Sequence, residues 1–343
     1  MIGQILKKWI FAKMSTLVFG KILKFPLLNS NYLNNMSKKI KFACHWDTPE
    51  GLADRVLRNW GEPPKGLEIT SGDEFDYLIT FNNSIDMLSV PKEKNIVFTM
   101  EPSWSHCIQD AVLDNSFKVF SSVDRFSHRD NVEMAPTLMF SEDSGGSTQA
   151  HVKQAGEGVK TSMQEYLEYD NFDKPKKCSI VLAAHGAIAG APKHPDSLYL
   201  QREQLLIKIF ESDLDIDVYG RGWAINDARY KGYAEYKEDA LRDYEFSIGI
   251  ENSKEDYYIS EKITDCFMNN CVPIYDGCNL VHEFYNPRSF EKIDISRDSV
   301  IEDIRTIISG SNEKYIEYVK ESKIKYFTDY NIYTYLEKCI NFS

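Results

Sequence analysis

The sequence predicts an α/β protein made of two doubly wound domains with parallel sheets, and three observations carry that expectation. Residues 244–277, YEFSIGIENSKEDYYISEKITDCFMNNCVPIYDG, read as strand, loop, helix and strand, the βαβ unit of a parallel sheet. Short apolar runs alternate with helical segments elsewhere, at 40–45 (IKFACH), 77–81, 95–99 (NIVFT), 117–121 and 178–184 (CSIVLAA). At 343 residues the chain has room for two domains of ordinary size.

Composition narrows the function. A content of 43% hydrophobic and 27% charged residues is that of a globular chain with a sizeable core. Residues 1–41 hold eight lysines and no acid, so the formal charge of −12 leaves −12 − 8 = −20 on the remainder. That acidity excludes nucleic acid as a partner of the body, because phosphate backbones need basic surface. Seven scattered cysteines with no C-x-x-C read as buried free thiols of a reducing compartment. The histidines never fall at metal-ligand spacing, so no metal site is expected.

Taken in order, residues 1–39 form a basic segment in which Ile5, Trp9, Ile10, Met14, Leu17, Val18 and Ile22 fit one helical face. It reads either as an amphipathic helix for peripheral contact with an anionic membrane surface or as a disordered extension ahead of Met36. Lys13 and Lys21 interrupt it, so neither a transmembrane anchor of the Golgi type nor a secretory signal is expected, and a cytoplasmic location is. A strand at 40–45 and a helix at 52–60 open the first domain, which runs to about 173. Residues 141–160 are polar, Gly-rich and aperiodic, the composition of a loop, with a helix near 161–169. Lys174-Pro175-Lys176-Lys177 marks the boundary of a second domain, 174–325. There Asp196-Ser197 would cap a helix running to about Phe210, and 215–220 (DIDVYG) alternates into a strand. Its D-x-D triplets tempt a metal reading, but aspartates alternating with Leu214, Ile216 and Val218 read as solvent-facing. A short helix at 279–286, a strand at 290–295 and helices at 299–308, 313–326 and 331–342 complete the chain. Residues 326–343 are expected to cross back to the first domain.

The chemistry gathers at two strand ends. In 251–262 polar residues crowd the carboxyl end of a strand and the first turn of a helix, where free N–H groups and the helix dipole suit a phosphate. Lys262 stands on the unfavourable side of that dipole, which an anion would explain. Glu261 can accept two ribose hydroxyls. Glu101 follows another buried strand directly, in T-M-E-P-S-W-S, with Trp104 offering a flat face of the kind sugars stack on. On pattern alone a lone glutamate such as Glu101 is more often a cap or a surface charge, and Arg202, on the helix running to about Phe210, a solvated surface group.

These residues also carry a family resemblance. E-N-S, then D-Y-Y-I-S-E-K, then V-P-I-Y-D-G resembles the donor signature of the α-1,3/4-fucosyltransferases, glycosyltransferase family ten, over about 177–293. Ile250 replaces the usual aromatic before Glu251, and Glu101-Pro102-Ser103 departs from the family's Glu-Ser-Pro order. The resemblance implies a GT-B fold, two Rossmann-like domains facing a central cleft. It implies an inverting transferase that moves L-fucose from GDP-fucose to a hydroxyl of a GlcNAc-containing glycan, in α-1,3 type linkage, with no cofactor or metal required. Glu101 would be the base, and Arg202 and Lys262 would neutralise the diphosphate. Glu261 would hold the ribose, while Tyr258 and Asn252 would shape the floor near the sugar, with Glu251 fixing the loop. Tyr219, Gly220 and Arg221 would form a further donor-side turn, and Trp104 would meet the acceptor. A GT-B enzyme with another nucleotide sugar, or a non-catalytic glycan-binding protein, remains the alternative.

Overall fold

The computed structural model describes residues 37–137, 140, 163–184, 194–234 and 236–342. The expectations for residues 1–36, for the loop at 141–160 and for the small-residue loop at 185–190 lie outside the described residues. Two parallel six-stranded sheets organise the rest. The first comprises β1 (Lys38–Ala43), β2 (Leu67–Ile69), β3 (Tyr77–Phe81), β4 (Asn95–Phe98), β5 (Lys118–Ser121) and β6 (Val132–Met134). Their order is β2-β1-β3-β4-β5-β6, every pair parallel. The second comprises β7 (Lys176–Val181), β8 (Ile216–Tyr219), β9 (Tyr230–Gly232), β10 (Tyr244–Ile250), β11 (Val272–Asp276) and β12 (Glu291–Lys292). It runs β12-β11-β10-β7-β8-β9, again all parallel. These are the two parallel-sheet α/β units expected.

Central strands are buried on both faces, which is why 246–250 and 272–275 read as nearly unbroken apolar runs. Two positions in this sheet carry polar groups inward and satisfy each other. Ser179 Oγ donates to the Ala240 carbonyl at 2.6 Å and lies 3.0 Å from Ser247 Oγ. Helix α1 (Pro49–Trp60) covers the first sheet, with Thr48 accepting the Gly51 N–H at its start and Pro49 in the first turn. Short helices α2 (Asp110–Asp114) and α3 (Met163–Glu168) follow, then α4 (Tyr199–Glu211) and α5 (Glu261–Met268) on the second sheet. The cap expected at Asp196-Ser197 falls one residue later, on Leu198, while Ser197 Oγ accepts the Tyr199 N–H at 3.5 Å.

After α6 (Val281–Phe284) and α7 (Val300–Ile308), the chain leaves the second sheet through α8 (Ile316–Thr328) and α9 (Ile332–Glu337). Of these last two, α8 runs two residues past its expected end, to Thr328, and α9 stops short of 342, at Glu337. The return to the first sheet is made by aromatic packing. Tyr335 meets Phe98 and Phe120 edge to face, with centroids 6.0 and 5.1 Å apart. Tyr333 OH donates to the Gly61 carbonyl at 2.8 Å.

All seven cysteines are free thiols. Burial pushes the Cys44 and Cys278 thiols up to about 12, which keeps them neutral. Asp217 corrects the expectation of a solvent-facing D-x-D: it accepts the Tyr244 hydroxyl at 2.7 Å and pairs with Lys176 and Lys231 at 3.2 and 3.1 Å. Among the described residues, no group of three or more His, Cys, Asp or Glu side chains is placed to hold a metal ion. No helix among them is long and apolar enough to cross a membrane.

Candidate functional site

The second sheet reverses its strand order between β7 and β10, and open α/β sheets place ligands outside the carboxyl strand ends at such a point. There β10 runs straight into Glu251, whose side chain is fully buried. Its Oε1 accepts the Ser260 N–H at 2.8 Å and the Tyr275 hydroxyl at 3.0 Å, and Oε2 accepts the Ser260 hydroxyl. Glu251 therefore ties the loop after β10 to the first turn of α5. Gly277 makes the room, since a Cβ there would stand 2.2 Å from Glu251 Cγ. Burial, the largest influence, pushes the Glu251 carboxyl above its ordinary range, against the pull of Lys262.

Ser260 caps α5, so Glu261 and Lys262 occupy its first turn as the sequence suggested. Lys262 Nζ donates to Ser260 Oγ at 2.9 Å, and stands 3.3 Å from Glu261 Oε1 and 3.7 Å from Glu251 Oε2. Burial alone would raise the Glu261 carboxyl, but Lys237 and Lys262 overrule it and hold Glu261 ionised, well below the usual carboxylate range.

Arg202 is 4% exposed, against the surface reading of its sequence pattern. The reason is tertiary. The Leu198 N–H donates to the Asn252 carbonyl at 3.0 Å, which docks the start of α4 on the loop after β10. Arg202 Nη1 then donates to Asn252 Oδ1, and its guanidinium lies 5.3 Å from the Tyr199 ring centroid. Its buried Nε has no hydrogen-bond partner among the described residues. Asn252 Nδ2 in turn donates to the buried Tyr258 hydroxyl at 3.4 Å. A planar guanidinium this enclosed, with donor capacity left over, fits an oxyanion such as a phosphate.

Glu101 comes from the other sheet, three residues beyond β4. Its loop is pinned on both sides. Asn82, at φ 57°, accepts the Met100 N–H at 2.5 Å, and the Ser103 N–H donates to Glu255 of the second sheet's loop at 3.0 Å. Burial lifts the Glu101 carboxyl to about 7; Lys262 pulls it down and Glu261 pushes it up. Those two influences make Glu101 an electrostatic neighbour of the α5 turn across the cleft. A carboxyl poised near neutrality suits proton abstraction.

Glu101, Arg202, Glu251, Asn252, Tyr258, Glu261 and Lys262 thus come together. The end of β8 is engaged differently. Tyr219 OH lies 2.8 Å from Tyr244 OH, and Arg221 Nη2 donates to the Tyr233 hydroxyl at 2.6 Å. Gly220 permits a close strand approach, because a Cβ there would fall 1.8 Å from the Leu182 carbonyl oxygen. Trp104 packs edge to face on Tyr199 at 5.8 Å, and helps line a groove of about 470 Å³ with Ser103, His106, Gln109, Arg125 and His194.

Sequence reasoning missed Tyr199, Glu255 and Lys237. Lys237 Nζ, from the turn before β10, sits 2.7 Å from Asp265 and 3.2 Å from Glu261. The signal was present: Glu261 and Asp265 are four residues apart on one helical face and demand a cation.

Residues 193–336 match the glycosyltransferase family 10 (fucosyltransferase) C-terminal domain. Alpha-(1,3)-fucosyltransferase FucT of Helicobacter pylori is 35% identical over 57 residues, 17% of this chain and 12% of that protein. A crystal structure of an alpha1,3-fucosyltransferase with GDP superposes with a TM-score of 0.49 at 15% identity, over 86% of this chain and 84% of that one. The same enzyme class with GDP-fucose gives 0.47 at 15% identity, over 86% and 84%. TarM of S. aureus gives 0.44 at 10% identity, over 77% and 55%. The family match covers α4, β8, β10, α5 and β11, the elements that carry or adjoin Arg202, Glu251 and Lys262, so it falls on the site just described.

Proposed function

We propose that this chain is an inverting fucosyltransferase that moves L-fucose from GDP-fucose to a hydroxyl of a glycan acceptor, with a GlcNAc-containing glycan and an α-1,3 type linkage as the family expectation. The observation that carries the reading is the buried, partly unpartnered Arg202, which shares its neighbours Glu251 and Glu261 with Lys262 at the α5 amino terminus, with Glu101 of the other sheet near the same turn. In this reading residues 174–325 hold the donor and 40–173 the acceptor, with 326–343 bridging the two. Arg202, Lys262 and the free N–H groups of α5 neutralise the diphosphate, whose charge grows as it departs, so they favour the transition state over the ground state. Glu261 receives ribose hydroxyls, and Asn252 and Tyr258 bound the sugar pocket. The donor-side turn 219–221 contributes its backbone, because its Tyr and Arg side chains are engaged elsewhere.

Chemically, the acceptor oxygen attacks the fucose anomeric carbon, the bond to the GDP oxygen breaks, and Glu101 takes the acceptor proton. One displacement converts a β-linked donor to an α-linked product, and no protein nucleophile is needed. Trp104 supplies a sugar-stacking face at the groove beside Glu101.

Thermal protection by GDP, UDP and ADP tests the donor assignment. GDP is expected to raise the melting temperature most. Protection by UDP or ADP alone would transfer the same machinery to another nucleotide sugar, and protection by none would remove the transferase reading.

A further inference from the structure

The buried ammonium of Lys237 has no role in the chemistry above, yet it is built into the donor site. Lys237 is mostly enclosed, and burial alone would lower its pKa; Asp265 and Glu261 outweigh that and hold it charged. A clamp joining the 237–240 turn to α5 would need only Asp265, at 2.7 Å. The second contact, 3.2 Å to Glu261, is different in kind. Lys237 and Lys262 both donate to the same oxygen, Glu261 Oε1, at 3.2 and 3.3 Å. Among the described residues, no donor of another residue reaches Oε2. Glu261 is thus fixed and ionised by two cations on one oxygen and by its own backbone N–H, with carboxylate lone pairs still left to accept from a ligand.

We propose that Lys237 is a positioning residue for nucleotide recognition, which holds Glu261 as a charged, single-rotamer acceptor for the ribose 2′ and 3′ hydroxyls of the donor. The proposal rests on the donor reading given above. A carboxylate that hydrogen-bonds two hydroxyls discriminates strongly against an analogue lacking them, because its oxygens are then left unpaired. Without Lys237, Glu261 keeps only Lys262, which an incoming diphosphate also claims.

Calorimetric titration of GDP and of 2′,3′-dideoxy-GDP into the full chain tests this. Wild type is expected to prefer GDP on the order of 10- to 100-fold. Lys237→Met would leave Asp265 buried beside an apolar chain, so the informative variant is Lys237→Met combined with Asp265→Asn, confirmed as folded by its melting curve. Its preference is expected to shrink to within about three-fold, and Lys237→Arg is expected to restore most of it. A merely structural Lys237 would weaken both ligands equally. The proposal is overturned if the double variant keeps the wild-type preference. Glu261→Gln separates that failure from a deeper one: if it also keeps the preference, Glu261 does not meet the ribose and the donor reading itself fails at this point.

Discussion

Replacing Glu101 by Gln removes a carboxyl that the fold holds at about 7 against an ordinary 4.5, chiefly by burial. A folded-state pKa above the unfolded one means that the native protein binds the proton more tightly. Stability from this group is therefore full below about 4.5 and is lost as pH rises through about 7. At about 1.4 kcal/mol per pH unit, the interval from 4.5 to 7 corresponds to at most about 4 kcal/mol, an upper bound because the residue keeps some contact with water. The Gln variant is neutral and isosteric. It is expected to melt with wild type near pH 4.5 and clearly above it at pH 8. Turnover should move the other way, falling about 10²- to 10⁴-fold as expected for loss of a general base. The wild-type kcat/KM profile should show an acidic limb near 7, with activity gained as Glu101 deprotonates. Thermal melts at the two pH values and steady-state kinetics with GDP-fucose check both halves. Equal melting at both pH values would mean that the carboxyl is not desolvated as described. Turnover within a few-fold of wild type would remove Glu101 as the base.

Two further outcomes follow from the packing. Arg202→Met should weaken GDP binding about 10- to 100-fold, as loss of a charge-assisted contact predicts, while leaving the melting temperature unchanged or raised, because it removes a buried and incompletely paired charge. Parallel titration and melting curves test this, and a destabilised variant with intact binding would reverse the assignment. Tyr335→Ala, which empties the contact of α9 with Phe98 and Phe120, should cost about 3 kcal/mol in urea unfolding, and a loss below about 1 kcal/mol would show that the crossing helix does not anchor the two sheets.

Much of this site was legible because its residues are close in sequence. Between Tyr244 and Gly277 a strand, a cap, a first turn and a returning strand follow one another, so local pattern and spacing place Glu251, Glu261 and Lys262 together. Arg202 was not legible in that way. Its burial depends on the backbone bond from Leu198 to Asn252, a contact 54 residues apart that no periodicity records. Asp217 failed for the same reason, since its partners Tyr244, Lys176 and Lys231 arrive from three different strands. The edge strands β2, β6 and β9 are three residues each, too short for alternation to register, and they went unassigned. Lys237 lay in the polar turn KEDA, where a lysine ordinarily meets solvent; only the fold brings it under α5.

The central claim is that the α5 amino terminus, with Lys262 and Arg202, receives a guanosine diphosphate. Isothermal titration of GDP and GDP-fucose into wild type and Lys262→Ala tests it most directly. Lys262 is partly enclosed and contacts Ser260 and Glu261. Loss of its charge is expected to weaken both ligands about ten-fold or more, without changing the stoichiometry of one. Equal binding by the variant, or no binding of either ligand by wild type, would contradict the account.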